Sequence, residues 1–400
     1  MPTAPSNLSR TLVVLTTLLI TSSAVAFGQT LRVLYNFKGG ADGNRPAGSL
    51  TIDSAGNLYG ATMGGGSGGQ GVVFRLTQTR HGWIQTTLHA FTGGDDGGGP
   101  NGGMVFDSAG NLFGTTSYGG TNGLGTVFEI SPTADGFAES VIHSFGYPDG
   151  AGPYAGLAID GANNLYGTLD LSTGGYGAVF ELSPVAGGGW TLTLVHNFQD
   201  SDGANPYGPM VIDNLGNLYG TTANGGSAGH GTVFLLTPVS TGWQDTVLHN
   251  FGDGLDGGAP FGGITLDPNG HLYGTALIGG TSVLYGTAFS FTGPQRGDFQ
   301  VIHDFGSYPG DARNPSCTMA LDLEGNLYCA TNFGGRYGGG AILQLQPVAN
   351  GLWQPVTLHS FTGNGQTGPT GDVLLDHAGN LFGAAGGGRY DAGIVYELIR

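Results

Sequence analysis

Apolar and polar positions along the chain repeat as short strand-length runs. A stretch such as "SLTID" (49–53) leads into an Asp-x-x-Gly-Asn turn and then into "LYG" followed by small or hydroxyl residues. A Gly-rich loop comes next, then a third run of the type "GTVFEI" (125–130). After a variable loop, often holding Gly-Trp, a fourth run ends in "LHAF" (88–91) or "IHSF" (142–145). These runs are too short for helices and apolar on both faces, as strands are when neighbouring sheets bury both sides.

The motif's Asp recurs at 53, 107, 160, 213, 267, 322 and 376. Seven copies of a four-strand unit at this near-even spacing predict an all-β fold, a seven-bladed β-propeller. The ends predict closure. "LRVLYNF" (31–37) matches a fourth strand, and "GIVYELI" (393–399) is the third strand of the seventh copy. The N-terminal strand is therefore expected to complete the last blade and leave no free sheet edge.

Residues 1–26 read as a secretory signal peptide: Arg10 precedes an apolar run, and Ala24-Val25-Ala26 supplies the small-x-small cleavage pattern. The remainder, 27–400, is expected to be one domain. It has no second apolar run long enough for a membrane span, no Cys beside the cleavage site and no sorting tail after "YELIR". The expected product is a soluble, secreted or periplasmic monomer.

Composition narrows the partners. Gly is 81 of 400 residues, yet aromatics make up 10% and apolar residues 39%, which excludes a disordered Gly-rich chain. Acids outnumber bases 28 to 11, with Lys38 the single lysine, so nucleic acid and anionic membranes are poor partners.

The phrases "GNLYGTT", the Gly-Gly loop and "GTVFEL" resemble the GloVer tandem repeat of exported bacterial proteins, over essentially residues 31–400. That resemblance implies export and propeller-like repetition but no defined activity. The chain departs from it in showing no C-terminal anchor. Strand-turn phrases are also similar, more weakly, to NHL and lactonase-like propellers.

Most recurring polar residues read as architecture. In the Asp-x-x-Gly-Asn turn the Gly takes the left-handed position, and the copy "DGANNLYG" (160–167) replaces it by Asn163, the next most tolerant residue. Six histidines (His89, His143, His196, His249, His303, His359) sit one per blade, too far apart for a shared metal. Each is expected to hydrogen-bond a neighbouring hydroxyl, with the Thr of "YGTT" the leading partner. The loop acids Asp42, Asp96, Asp149, Asp202, Asp256 and Asp311, with Asn364 in the last copy, share an Asp-Gly-x-x-Pro setting that suits turns. Calcium is the one cofactor the pattern would suit, through the paired Asp95 and Asp96 or Asp200 and Asp202, although no calcium-loop pattern is complete. Cys317 and Cys329 replace small residues of the other copies together, across one hairpin of blade six, which predicts a disulfide in an exported protein.

Departures from the repeat supply the candidate site. Arg45, Arg313, Arg336 and Arg389 fall in loops expected to share one face, on blades contiguous after ring closure, and Tyr337 and Tyr390 accompany two of them. Such an Arg-Tyr patch suits a carboxylate or sulfate beside a sugar ring. The alternative for these Args is pairing with Asp42, Asp311 and Asp391. Asp170 and His230 are further off-pattern loop residues, with no role expected for either. No local nucleophile, metal or paired-carboxylate motif appears. The reading is a binding or interaction module of unknown ligand, with a glycan, an acidic one in particular, or a cell-surface protein as the candidate partners. The alternatives are a propeller hydrolase or lyase acting on glycans or lactones, and a purely structural surface repeat.

Overall fold

The computed structural model describes residues 29–252, 254–292, 299–362 and 368–400. The expected leader and Asn364 lie outside them. The described chain forms seven four-strand antiparallel units arranged as a seven-bladed β-propeller. Blade 1 comprises Asn44–Ile52, Leu58–Gly64, Val72–Thr79 and Gly82–Ala90. In later blades the first strand shrinks to two residues, as in Ala158–Ile159 or Val211–Ile212. Closure is as expected: Thr30–Asn36 pairs antiparallel with Ile394–Ile399 and becomes the fourth strand of blade 7.

The recurring turn is a clamped hairpin. Asp53 Oδ1 accepts from the Ala55 and Asn57 amides, both at 2.9 Å, while Oδ2 accepts from Asn57 Nδ2 at 2.7 Å and the Tyr59 hydroxyl at 3.0 Å. Gly56 sits at φ 81°, and in the exceptional copy Asn163 adopts φ 64°. Where blade 5 has His271 for the Asn, its Nδ1 takes over the contact to Asp267 at 2.8 Å.

The core lies between blades. The Phe that follows the repeated His inserts against the third-strand aromatic of the next blade. Examples are Phe91–Phe128 at 5.1 Å, Phe145–Phe180 at 5.1 Å and Phe198–Phe234 at 5.2 Å between ring centroids. The Gly of "LYG" makes room for that aromatic within its own blade, since a Cβ on Gly60 would stand 2.6 Å from the Phe74 ring.

Blade 6 breaks this rule coherently. Cys329 replaces the Gly, and Leu343, paired with it across the strands, replaces the bulky Phe. The space released holds the disulfide Cys317–Cys329, with Cα atoms 5.8 Å apart.

The histidines correct one expectation. For five of the six, the partner is the loop Asp of the same repeat, not a Thr. Nε2 lies 3.2 Å from Asp96 for His89, 3.3 Å from Asp149 for His143, and 3.1 Å from Asp202, Asp256 and Asp311 for His196, His249 and His303. Tyr35 makes the equivalent bond to Asp42 in blade 7, at 2.9 Å. The threonines are engaged elsewhere. Thr116 meets Thr126 at 2.8 Å, and Thr221 donates at 2.7 Å to the Gly262 carbonyl of the next blade. A Thr on the second strand is separated from the fourth-strand His by the intervening third strand.

Candidate functional site

The loops between second and third strands and the loops between blades share one face. At six of the seven crossings, the amide of a left-handed residue in the inter-blade loop donates to the preceding blade's Gly-rich loop. Gly99 bonds to Gln70 O at 2.8 Å, Asn205 to Tyr176 O at 2.8 Å and Arg45 to Ala392 O at 2.9 Å. The loops thus form one continuous, stapled surface around the channel mouth.

Among the described residues, every strongly exposed aromatic lies in or at the edge of these loops: Tyr118, Tyr147, Tyr154, Tyr176, Phe333, Tyr337 and Tyr390. The opposite face exposes aliphatic residues such as Leu215 and Leu323 at its hairpin turns. The strongly exposed aromatics are thus gathered on the loop face.

The sequence-predicted Arg-Tyr residues sit on this face, at its rim. Each Arg packs on its own neighbour, with the Arg336 guanidinium 5.6 Å from the Tyr337 ring and that of Arg389 5.5 Å from Tyr390. Their amides donate to Ser360 Oγ at 3.0 Å and Asn36 Oδ1 at 2.9 Å, which places both pairs over the outermost strands of blades 6 and 7. Arg313 lies instead over Tyr285 of blade 5, at 4.3 Å, and Arg45 is exposed at its blade crossing. Of the acids considered for calcium, Asp96 and Asp202 are the partners of His89 and His196, while Asp95 and Asp200 are exposed. His196, Asp202 and Asp245 bring one ligand atom each within 4.8 Å of one another. One imidazole with two carboxylates suits a transition metal better than the all-oxygen shell of calcium.

Nearer the axis lies a cavity of about 170 Å³ to which all seven blades contribute. The chain descends each inner strand from the loop face. The residue six before the motif Asp is Ala47, Asn101, Tyr154, Tyr207, Phe261, Ser316 or Thr370; six of these seven line the cavity. Blades 3, 4 and 5 therefore place an aromatic arc on one side of the mouth. The ring centroids of Tyr154 and Tyr207 are 6.0 Å apart, and Tyr207 and Phe261 stack at 5.2 Å with an interplanar angle of 7°. Off-pattern Asp170 holds this arc from behind. It accepts Asn205 Nδ2 at 2.8 Å; burial, then the neighbouring Asp170 carboxylate, pushes the Tyr207 phenol up to about 12.

Two residues further along each strand, only blade 7 carries a charge, Asp372. Its Oδ2 accepts from Ser49 Oγ of blade 1 at 2.7 Å, and its Oδ1 from the Thr318 amide of blade 6 at 2.8 Å. Asp372 is half-buried in the channel wall, and this burial raises its pKa above the usual carboxylate range. Among the described residues, no Lys, Arg or His lines the cavity with it. Sequence reading passed over the arc and Asp372; the signal was their register, six and four residues before the motif Asp, where other copies carry small or uncharged residues.

The model of the Gloeobacter/Verrucomicrobia repeat matches residues 25–170, 133–316 and 210–399, so the chain belongs to that repeat family. No curated protein matches the chain. Among solved structures, the chain is similar to the extracellular domain of a protein described as a hybrid two-component system from B. thetaiotaomicron. Identity is 14% and the TM-score 0.55, over 92% of this chain but only 41% of that one. It is also similar to a protein from Bacteroides uniformis described as a 6-phosphogluconolactonase, with 15% identity, a TM-score of 0.51, and 87% and 93% of the two chains covered. At these identities both establish the propeller fold alone.

Proposed function

We propose that the protein is an exported binding module whose loop face holds a glycan. The observation that carries this reading is the segregation of the exposed aromatics onto that face: flat, amphipathic rings suit the C–H faces of sugars, and the surrounding loops supply polar groups. At the rim, Arg336 and Arg389 beside Tyr337 and Tyr390 offer cationic forks for carboxylate or sulfate substituents on a polymer otherwise repelled by a chain of net charge −17. Export is supported by the Cys317–Cys329 disulfide, a bond that persists in oxidising compartments. No helix among the described residues is long and apolar enough to cross a membrane.

The test is a polysaccharide array probed with the intact protein. Binding to uronate- or sulfate-bearing polymers should fall in the Arg336→Ala/Arg389→Ala double variant. Absence of binding to any polymer would overturn the reading and favour a structural repeat protein.

A second reading, a hydrolase or lyase of lactones or glycans, is favoured by one observation. Asp372, Ser49 and Thr318 join three blades inside the channel, and a carboxyl with a raised pKa suits general acid chemistry. Turnover of lactone or glycoside panels that is abolished in Asp372→Asn would establish it.

A further inference from the structure

We propose that the channel mouth is a site for a single neutral sugar ring, gripped between the aromatic arc of blades 3–5 and the Asp372 carboxylate of blade 7. The inference rests on the reading of the loop face as glycan-binding and adds a place, a ligand charge and a size.

Three observations carry it. The cavity is two-sided: Tyr154, Tyr207 and Phe261 form one wall, while Asn101, Ser316 and Asn332 line it from blades 2 and 6. A pyranose has the matching construction, an apolar C–H face and a girdle of hydroxyls, and a wall of aromatics facing polar groups recognises both at once. Next, the Asp372 carboxylate, with about four acceptor sites, accepts from Ser49 Oγ and the Thr318 amide and has the Thr318 hydroxyl beside it. The remaining acceptor capacity borders the cavity, where a sugar hydroxyl would supply a charge-assisted hydrogen bond. Finally, the volume of about 170 Å³ lies below the range usual for drug-sized ligands and suits a single ring.

Charge decides which sugars enter. With a carboxylate in the cavity and, among the described residues, no Lys, Arg or His lining it, an anionic ring would be repelled without compensation, so the site takes a neutral residue. The acidic substituents of a polymer would be met by the rim arginines, outside the channel. Asp170 stands behind the arc, where it accepts Asn205 Nδ2 at 2.8 Å.

The departures from the repeat agree with this division. At the same inward position the other blades carry Ala47, Asn101, Ser316 and Thr370, so large rings there are not needed to build a blade. The aromatic arc occupies three consecutive blades and Asp372 lies outside it on a fourth, which gives an asymmetric site in a nearly symmetric ring.

The test uses the intact protein and the methyl glycosides of glucose, galactose and mannose as probes, with methyl glucuronide as the charged control. Saturation-transfer NMR and calorimetry would read binding. At least one neutral glycoside should bind, and methyl glucuronide should bind about tenfold more weakly or not at all. Phe261→Ala and Asp372→Asn should each weaken binding by about tenfold or more. Phe261→Tyr, which keeps the ring, should retain binding and guards against a folding defect, and Leu323→Ala on the opposite face should bind as the parent does. If no neutral glycoside binds, or if Phe261→Ala and Asp372→Asn bind like the parent, the channel site is overturned. Polymer binding that survives in that case leaves the loop-face reading intact, whereas monosaccharide binding without polymer binding would overturn the rim contribution and leave the channel site.

Discussion

Replacing Asp213 by Ala tests whether the acidic repeat motif is a turn or a metal site. The side chain accepts four hydrogen bonds: from the Leu215 amide at 2.8 Å, the Asn217 amide at 2.9 Å, Asn217 Nδ2 at 2.8 Å and the Tyr219 hydroxyl at 3.2 Å. Water replaces the first, since the Leu215 amide is exposed. The other three are partly buried, and at about 1 kcal/mol each the Ala variant should lose about 2–3 kcal/mol. The upper end applies if the Tyr219 hydroxyl, on a buried ring, finds no substitute acceptor. Asp213→Asn keeps an acceptor oxygen and should lose about 1 kcal/mol. Urea unfolding followed by tryptophan fluorescence should show a lower midpoint with an unchanged slope, because the surface exposed on unfolding stays the same. A loss below about 0.5 kcal/mol would refute the clamp, that being the least a single made bond contributes. So would a chelator that lowers parent stability to that of Asp213→Ala, since a turn needs no metal.

Four further outcomes follow from particular contacts. Glu139 is pushed from 4.5 up to about 7 by burial and then by the Asp96 charge, so the folded state holds its proton more tightly than the unfolded chain. Its contribution is present below about 4.5 and is lost as pH rises through about 7; Glu139→Gln should therefore be more stable than the parent at pH 8 and little different at pH 4, by urea midpoints. Asp53, Asp267 and Asp322 show the opposite sign: burial would raise them, but bonds from the turn outweigh it and hold them below 3.8, so stability carried by the turns should fall as pH drops through and below that value. Reducing Cys317–Cys329, which closes a loop across a sequence separation of 12, should cost about 3 kcal/mol, read as a fall in the urea midpoint with reductant. Leu343→Phe should destabilise by about 1–3 kcal/mol by overfilling the space beside Cys329, and Cys317→Gly/Cys329→Gly in the same chain should restore part of that loss.

What the sequence made legible was set by locality. The Asp-x-x-Gly-Asn hairpin is satisfied within seven residues, so its spacing alone counted the blades and predicted the closing strand. The cysteine pair stood out because two small positions changed together. The compensating Leu343 was equally visible but meaningful only once the Gly of "LYG" was seen against the third-strand ring. The His partner was misjudged because the choice between a hydroxyl and a loop carboxylate depends on which groups the third strand separates. The rim arginines were found by composition, being scarce. The arc and Asp372 were missed because Tyr, Phe and Asp are common in the chain, and only the register of the inner strand reveals that they face the axis.

That register also explains why variation concentrates there. At the "LYG" glycine, a Cβ would strike the third-strand ring of the same blade, so the position can change only with a matched loss such as Phe to Leu. The Phe after the His fills the next blade's core and is fully buried in blades 1 to 4. Six residues before the motif Asp, by contrast, most side chains face the channel, where Ala, Asn, Ser, Thr, Tyr and Phe all occur without disturbing a blade. A ligand smaller than the ring cannot be held by seven equivalent groups at once, so recognition needs the sevenfold repeat to be broken. The inner tier is where breaking it leaves the inter-blade core untouched, and there blades 3 to 5 carry aromatics and blade 7 the lone carboxylate.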